Sequence, residues 1–208
     1  MPDSVSPELQ VPPSNVTILG AFNASILRPE WLSRHVFGEI GEYQIFITGT
    51  IPAVVIQRRA DVLWWVQQDR LVVASDEITR ATEFVTKLLR ILSHTPVLAA
   101  GVNFQQGAAL SHPGQWYSRL ADLKNAVGAL KSESKAAITL RSARNDRTSL
   151  TCVVQEVELP LVTFDFNFSL DARAQQEGER IEELISHISR AAEFEGEARA
   201  IIAEVVRG

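Results

Sequence analysis

The segment Leu161-Val-Thr-Phe-Asp-Phe-Asn-Phe-Ser-Leu170 decides the fold, because its apolar and polar residues alternate without a break. Side chains of a β-strand point to opposite faces of a sheet in turn, so the alternation predicts a strand with one face in the core. The other face meets water or a partner. A shift of one residue would bury Asp165, so the pattern also fixes which face is which.

Strand patterns continue on both sides of this segment. Residues 61–66 are apolar at every position after Asp61, which is typical of a central strand covered on both faces. The polar residues 67–70 then predict a hairpin with residues 71–74, and the polar turn at 144–147 predicts a second hairpin. Further strands are expected at residues 16–22, 43–48, 53–57 and 97–104.

Helical spacing interrupts the strands in four places. Pro29 predicts the first residue of a short helix, and Pro113 predicts the start of a longer one that runs to about residue 130. Ser75 and Asp76 offer N-cap oxygens to a third helix, with apolar residues from Ile78 to Leu92. Residues 172–206 carry two apolar stripes, with a break expected at Gly196.

This mixture predicts an α+β fold in which an antiparallel sheet, or two, has helices packed on one face. A faint repeat supports two related halves, since a strand and a helix ending at His94 are followed by a strand and a helix through His187. The predicted organisation is a flexible tail at residues 1–14 and one domain at residues 15–208. The halves within it would be residues 15–95 and 97–208.

Composition points to a soluble globular protein, with 46% hydrophobic and 22% charged residues. No stretch approaches the 18 consecutive apolar residues of a membrane span, so no membrane association is predicted. The single Cys152 cannot form an internal disulfide, and its place in an alternating strand predicts a core residue. A reducing cytoplasm is the location that this cysteine usage favours.

The sequence contains no motif specific for a catalytic reaction. It lacks the Gly-x-Ser-x-Gly elbow, the phosphate-binding loop Gly-x-x-x-x-Gly-Lys-Ser/Thr and the dinucleotide turn Gly-x-Gly-x-x-Gly. Its four histidines show no metal-ligand spacing. We therefore predict no catalytic residue, no metal and no cofactor.

Charge is distributed unevenly along the chain. The formal net charge of −5 argues against nucleic-acid binding through bulk electrostatics. Residues 119–147 nevertheless hold seven Lys or Arg against three acids, and residues 156–208 hold twelve acids against five Arg. These regions could attract each other within or between chains. The exposed candidates for contact with an anionic partner are Arg58, Arg59, Arg141, Arg144 and Arg147.

Three segments carry a resemblance to other proteins: Gly20-Ala-Phe-Asn-Ala-Ser-Ile-Leu-Arg-Pro-Glu-Trp-Leu32, Leu92-Ser-His-Thr-Pro-Val97 and Gly101-Val-Asn-Phe104. Together they resemble a sporadically distributed group of uncharacterised bacterial proteins, over about the first half of the chain. The resemblance implies a bacterial origin and permits a role in a mobile-element or defence context. It brings no activity and no site residues with it.

The function that these observations predict is a non-catalytic protein-interaction module, self-associating or serving as a subunit of a larger complex. An alternative is a small-molecule binder or enzyme whose noncontiguous site joins four residues near the middle strand: His94, Asn103, His112 and Trp116. A third reading is a weak nucleic-acid contact through the basic middle of the chain.

Overall fold

The fold is given by a computed structural model, which describes residues 14–23, 26–37, 44–48, 54–59, 62–112, 137–158 and 160–207. The strands in these ranges are β1 (Ser14–Gly20), β2 (Gln44–Thr48), β3 (Val54–Arg59), β4 (Val62–Val66), β5 (Arg70–Ser75), β6 (Val97–Ala109), β7 (Ala137–Ala143), β8 (Thr148–Glu158) and β9 (Leu161–Asp171). The helices are α1 (Pro29–Leu32), continued by a π-helical turn (Ser33–Phe37), α2 (Ile78–Ile91), α3 (Glu177–Ile188) and α4 (Ala191–Arg207).

All nine described strands form one sheet in the order β2-β3-β4-β5-β1-β6-β9-β8-β7. Every neighbouring pair is antiparallel. The first strand of each half, β1 or β6, lies at the centre of the sheet. The following strands begin at an edge and return to the centre, and helices follow: α2 after β5, and α3 with α4 after β9. The chain therefore places one central strand first and then fills the space between an edge and that strand, working inward.

The helices cover one face of the sheet and form the core with it. On β9 the even-numbered residues from Val162 to Leu170 are at most 3% exposed, and they join the core cluster with Val16, Ile18 and Val102. Helix α2 contacts β1 and β5, α3 contacts β6, and α4 contacts β6 and β9. The predicted α+β fold, with an antiparallel sheet and helices on one face, is confirmed.

Strand β4 is covered on both faces, as its apolar run predicts. Leu63 and Trp64 point to opposite faces, and each is 1% exposed. The Trp64 ring lies 4.3 Å from the ring of Phe84 in α2. On the other face Leu63 is buried with Val72 and Ala74, which lie outside the main core cluster.

Several predicted boundaries are wrong. Neither Ser75 nor Asp76 is the N-cap of α2: the N-cap is Glu77, and its backbone N–H donates to Ser75 Oγ at 3.3 Å. The C-terminal break falls between α3 and α4 rather than at Gly196, which lies within α4. At this break the Arg190 N–H donates to the His187 carbonyl three residues before it, and the Ser189 hydroxyl donates to the Ile185 carbonyl.

The ends of two other predicted segments also differ. Ser14, placed by the sequence in the tail, is the first residue of β1 and pairs with Ser75 and Phe104. Strand β6 continues to Ala109, five residues beyond its predicted end. The helix predicted at residues 113–130 lies outside the described residues, as does the rest of the tail.

Candidate binding surface

The second face of the sheet differs in chemistry from the face that carries the helices. On the four strands β1, β6, β9 and β8, it is formed by the odd-numbered residues from Asn15 to Leu19, Ala99 to Ala109, Leu161 to Asp171 and Ser149 to Gln155. We call these residues the open face. All of them are partly or fully exposed except Gly101. The alternation that buries the even-numbered side chains in the core leaves these at the surface.

A row of polar side chains crosses the centre of the open face. Asn15, Asn103, Asn167 and Thr151 lie directly opposite one another on β1, β6, β9 and β8. Asn103 Nδ2 donates to Asn15 Oδ1 at 2.8 Å, and Asn167 Nδ2 donates to Asn103 Oδ1. Thr17 Oγ1 also donates to Asn15 Oδ1, at 3.2 Å. We call Asn15, Asn103 and Asn167 the amide row.

The hydrogen bonds within the amide row do not use all of its polar atoms. Within the described part of the chain, neither Asn15 Nδ2 nor Asn167 Oδ1 has a hydrogen-bond partner. One end of the row can therefore donate and the other can accept. A Cβ on Gly101 would lie 3.1 Å from Asn167 Nδ2, so a larger residue there would require a small shift of this side chain.

Strand register extends this row across the sheet. Beyond Asn15 it passes Ala74 and Leu63 to Arg58 on β3, and beyond Thr151 it reaches Arg141 on β7. Arg58 and Arg141, both predicted as partner contacts, thus occupy the same transverse line. Seven strand spacings separate them, or about 34 Å. Arg59 is the next residue of β3 and pairs with Val62.

The open face is almost uncharged. It carries no Lys or Arg, and its two acids are Asp165 and Asp171. Gln105 Nε2 donates to Asp165 at 2.8 Å, and hydrogen bonds from Arg173 lower the pKa of Asp171 to about 2. Exposed leucines lie at two of its corners: Leu19 is 38% and Leu161 is 52% exposed. The surface therefore carries two negative charges, of which Asp171 is paired with Arg173, and it has amides and hydroxyls at its centre and aliphatic groups at its rim.

Two of the predicted arginines are engaged within the chain. Arg144 pairs with Glu197 of α4 and lies 5.3 Å from the Phe168 ring centroid, while Arg147 pairs with Glu183 of α3 at 2.6 Å. The turn of the β7–β8 hairpin is thereby tied to the C-terminal helices. Attraction between the basic middle and the acidic C-terminal region thus operates inside the molecule at these two pairs.

The alternative site is not assembled. His94 precedes β6 and His112 follows it, and both are exposed. Because β6 has 13 residues, its length separates the two histidines by about 40 Å, with Asn103 near the middle. The structure therefore does not bring His94, Asn103 and His112 together. Trp116 lies outside the described residues.

A small cavity of about 70 Å³ lies between the β7–β8 turn and the C-terminal helices. Its lining includes Arg144, His187, Arg190 and Phe194. His187 Nε2 bonds to the Phe168 carbonyl at 3.1 Å, and burial lowers the pKa of this imidazole. Arg190 pairs with Glu193 at 2.8 Å. Both arginines are therefore paired with glutamates of α4, and His187 is bonded to the backbone of β9.

Cys152 belongs to the core, as the sequence predicts. It is 4% exposed on β8, and burial raises the pKa of its thiol. A thiol held protonated and away from water is a poor nucleophile. Over the described ranges, no group of three or more His, Cys, Asp or Glu residues could hold a metal ion. No described helix is both long and apolar enough to cross a membrane.

Comparison with known proteins adds no assignment. No protein-family model matches the chain, and no curated protein matches it. The surface itself is therefore the source of any functional conclusion.

Of the amide row, sequence reasoning found only Asn103 and missed Asn15 and Asn167. The signal present in the sequence was alternation, which places each asparagine at a polar position of its own strand. Alternation does not show which strands are neighbours or in what register they pair. The amide row could therefore not be predicted.

Proposed function

We propose that this chain is a non-catalytic protein-interaction module whose open face binds a different protein, as one subunit of a larger complex. The observation that carries the proposal is the amide row, whose Asn15 Nδ2 and Asn167 Oδ1 have no hydrogen-bond partner among the described residues, on a partly exposed sheet face with few charges. A partner's backbone or polar side chains can satisfy both ends of such a row.

The chemistry of the open face favours protein over nucleic acid as the partner. Protein interfaces are depleted of charged residues at their centre and contain apolar side chains, as at Leu19 and Leu161. Nucleic-acid interfaces are strongly basic. The open face has no cation, and the whole chain has a net charge of −5. Arg141 continues the row on β7 and is exposed, and a charge at the side of an interface contributes to orientation of a protein partner.

A binding role also agrees with the distribution of titratable groups. The buried His187 and Cys152 each lie in the core, and neither is on the open face. The open face presents amides and hydroxyls, which recognise polar groups without transferring protons at neutral pH. The bacterial complex and the mobile-element or defence setting stay predictions of the sequence resemblance.

The test compares partner capture by two matched variants in the native cells. The double variant Leu19→Asp with Leu161→Asp places charge on the open face, and Ile91→Asp places charge on an equally exposed aliphatic residue of α2. All three positions are exposed to solvent, so we expect each substitution to change the free energy of unfolding by about 1 kcal/mol or less. Quantitative mass spectrometry of the co-purified chains measures binding.

We expect the open-face variant to capture at least tenfold less of a partner that Ile91→Asp still captures. Hydrogen exchange of the reconstituted pair should then show slower exchange on β1, β6 and β9. Equal recovery with both variants contradicts the proposal. If nucleic acid is recovered instead, in an amount that falls steeply as the salt concentration rises, the result supports a nucleic-acid contact through the basic middle of the chain.

A further inference from the structure

The cavity between the β7–β8 turn and the C-terminal helices has a positively charged lining. Its described residues are two arginines, one histidine, one asparagine, three residues with hydroxyl groups and two phenylalanines. Among them there is no Asp or Glu, since Glu193 and Glu197, which pair with the arginines, lie outside the lining. A cleft lined by charge of one sign attracts the opposite charge. The lining therefore points to an anionic ligand.

Buried aromatic rings hold both guanidinium groups beside the cavity. The rings of Phe168 and Phe194 stack with their centroids 4.6 Å apart. The Arg144 guanidinium lies 5.3 Å from the Phe168 centroid, and the Arg190 guanidinium lies 5.1 Å from the Phe194 centroid. A ring attracts a cation through its face and does not neutralise the charge. Both positive charges are therefore positioned before any ligand arrives.

The salt bridges of the two arginines use only part of their hydrogen-bonding capacity. Arg144 bonds to Glu197 through Nη2, and Arg190 bonds to Glu193 through Nε. Within the described part of the chain, the other nitrogens of both groups have no hydrogen-bond partner. Both salt bridges are also substantially exposed, and exposed ion pairs contribute little to stability. A second anion can therefore compete with the glutamates for these cations.

His187 adds a buried polar atom to the same lining. It is 8% exposed, and its Nε2 donates to the Phe168 carbonyl, so Nδ1 of the neutral ring is an acceptor. Nδ1 has no hydrogen-bond partner among the residues that the structure describes. Burial lowers the pKa of this imidazole, and the charges of Arg190 and Arg144 lower it further, against an opposing effect of Glu183. Both arginine charges thus act at the position of His187.

We propose that this cavity binds a hydrogen phosphate group, which Arg144 and Arg190 hold by charge and which donates its O–H to His187 Nδ1. A phosphate group carries a charge of roughly −1.5 to −2 at pH 7, which matches two guanidinium groups better than a carboxylate does. The cavity volume of about 70 Å³ is about five times what one water molecule requires, so an ion with five non-hydrogen atoms can enter. The cavity also adjoins Phe194 in the first turn of α4, where the helix dipole favours an anion.

Equilibrium dialysis with inorganic phosphate tests the site. We expect the chain to bind one phosphate ion, and to bind sulfate at least tenfold more weakly, because sulfate has a similar shape and charge but no O–H at neutral pH. Arg144→Gln and Arg190→Gln should each weaken phosphate binding at least tenfold. The matched control is Arg199→Gln, which removes an exposed arginine that pairs with Glu195 of the same helix outside the lining. It should leave the affinity within twofold.

A variant with a gain of affinity separates binding from folding. Glu193→Gln removes the carboxylate that competes for Arg190, and its side chain is 66% exposed. The fold should therefore be unchanged, while phosphate binds at least threefold more tightly. Circular dichroism of each variant verifies folding. Competition with methyl phosphate then identifies the source of the ligand: displacement supports a phosphate ester, and lack of displacement supports the free ion.

Three results would overturn the proposal. The first is the absence of saturable phosphate binding, or binding that the three arginine variants weaken equally. The second is an affinity that Glu193→Gln leaves unchanged or lowers. The third is equal affinity for sulfate and phosphate. Leu19 and Leu161 do not line the cavity, so their variants should bind phosphate normally. Failure of this site and failure of partner binding are therefore distinguishable.

Discussion

The two faces of the sheet are made by the same strands but are built by different rules. On β9, Phe164, Phe166 and Phe168 are at most 2% exposed and pack in a stack on the helix side. Their chain neighbours Asp165 and Asn167 are partly exposed and bond to other polar side chains. The helix side is thus specified by the packing of buried side chains, and the open face is specified by hydrogen bonds between polar side chains.

This difference teaches where stability and recognition reside. Removing a buried ring leaves a cavity, so the helix side should dominate the free energy of unfolding. Hydrogen bonds exposed to water contribute little net energy, so the amide row can change with small cost to the fold. The residues of the open face can therefore be selected for binding rather than for stability.

The largest effect is expected on the helix side, at Phe166. Phe166→Ala should lower the free energy of unfolding by about 3–5 kcal/mol, because a fully packed ring is replaced by a cavity. Urea unfolding followed by circular dichroism measures the change. Asn167→Ala, one residue away on the open face, is the control, and a similar loss in both would show that the two faces do not differ as described.

His187 provides a pH test of the same contrast. Burial lowers its pKa below the ordinary 6.5, with the Phe168 carbonyl acting in the opposite direction. The unfolded chain therefore takes up a proton before the folded one as pH falls. Stability should be complete above 6.5 and decline below it, with a slope of at most about 1.4 kcal/mol per pH unit.

His187→Gln should remove this part of the pH dependence while it keeps a donor for the Phe168 carbonyl. Urea titrations at pH values from 7.5 to about 5 in wild type and variant isolate the contribution, since the other titratable groups are shared. Parallel curves for the two proteins would contradict a buried neutral imidazole on the helix side.

The smallest effect is expected at the centre of the open face. Asn103→Ala removes hydrogen bonds to Asn15, Thr17 and Asn167 and should lower the free energy of unfolding by about 1 kcal/mol, because water reaches the groups left behind. Urea unfolding measures it. A loss as large as that of Phe166→Ala would mean that the amide row is a structural element rather than a surface for binding.

Local patterns predicted much of the fold. Alternation at residues 161–170 gave the strand and its buried face, and the polar turns at residues 67–70 and 144–147 gave two hairpins. The apolar run of β4 correctly indicated burial on both faces. Each of these signals acts within about ten residues, where the period of hydrophobicity and the turn chemistry are decisive.

Helix ends and the candidate site were harder to predict for physical reasons. Gly196 carries a helix penalty of only about 1 kcal/mol, which packing of α4 on the core offsets. The break falls instead next to Ser189, whose hydroxyl donates to the Ile185 carbonyl, a type of bond that often bends a helix. The amide row depends on the pairing of β1 with β6 and β6 with β9. Those partners are 88 and 64 residues apart, beyond any local pattern. His94 and His112 flank β6, and the sequence pattern does not show the full length of this strand. It therefore does not show how far apart the two histidines lie.

The junction of β1 with β6 has a consequence for how the chain is made. During translation, β1 can pair with β5 once the first meander has emerged, but its other side waits for β6. Closing so long a loop is slow compared with forming a hairpin. Until then the nascent chain exposes the backbone of β1 on that side, so this strand, central in the finished sheet, is the one in greatest need of protection while synthesis continues.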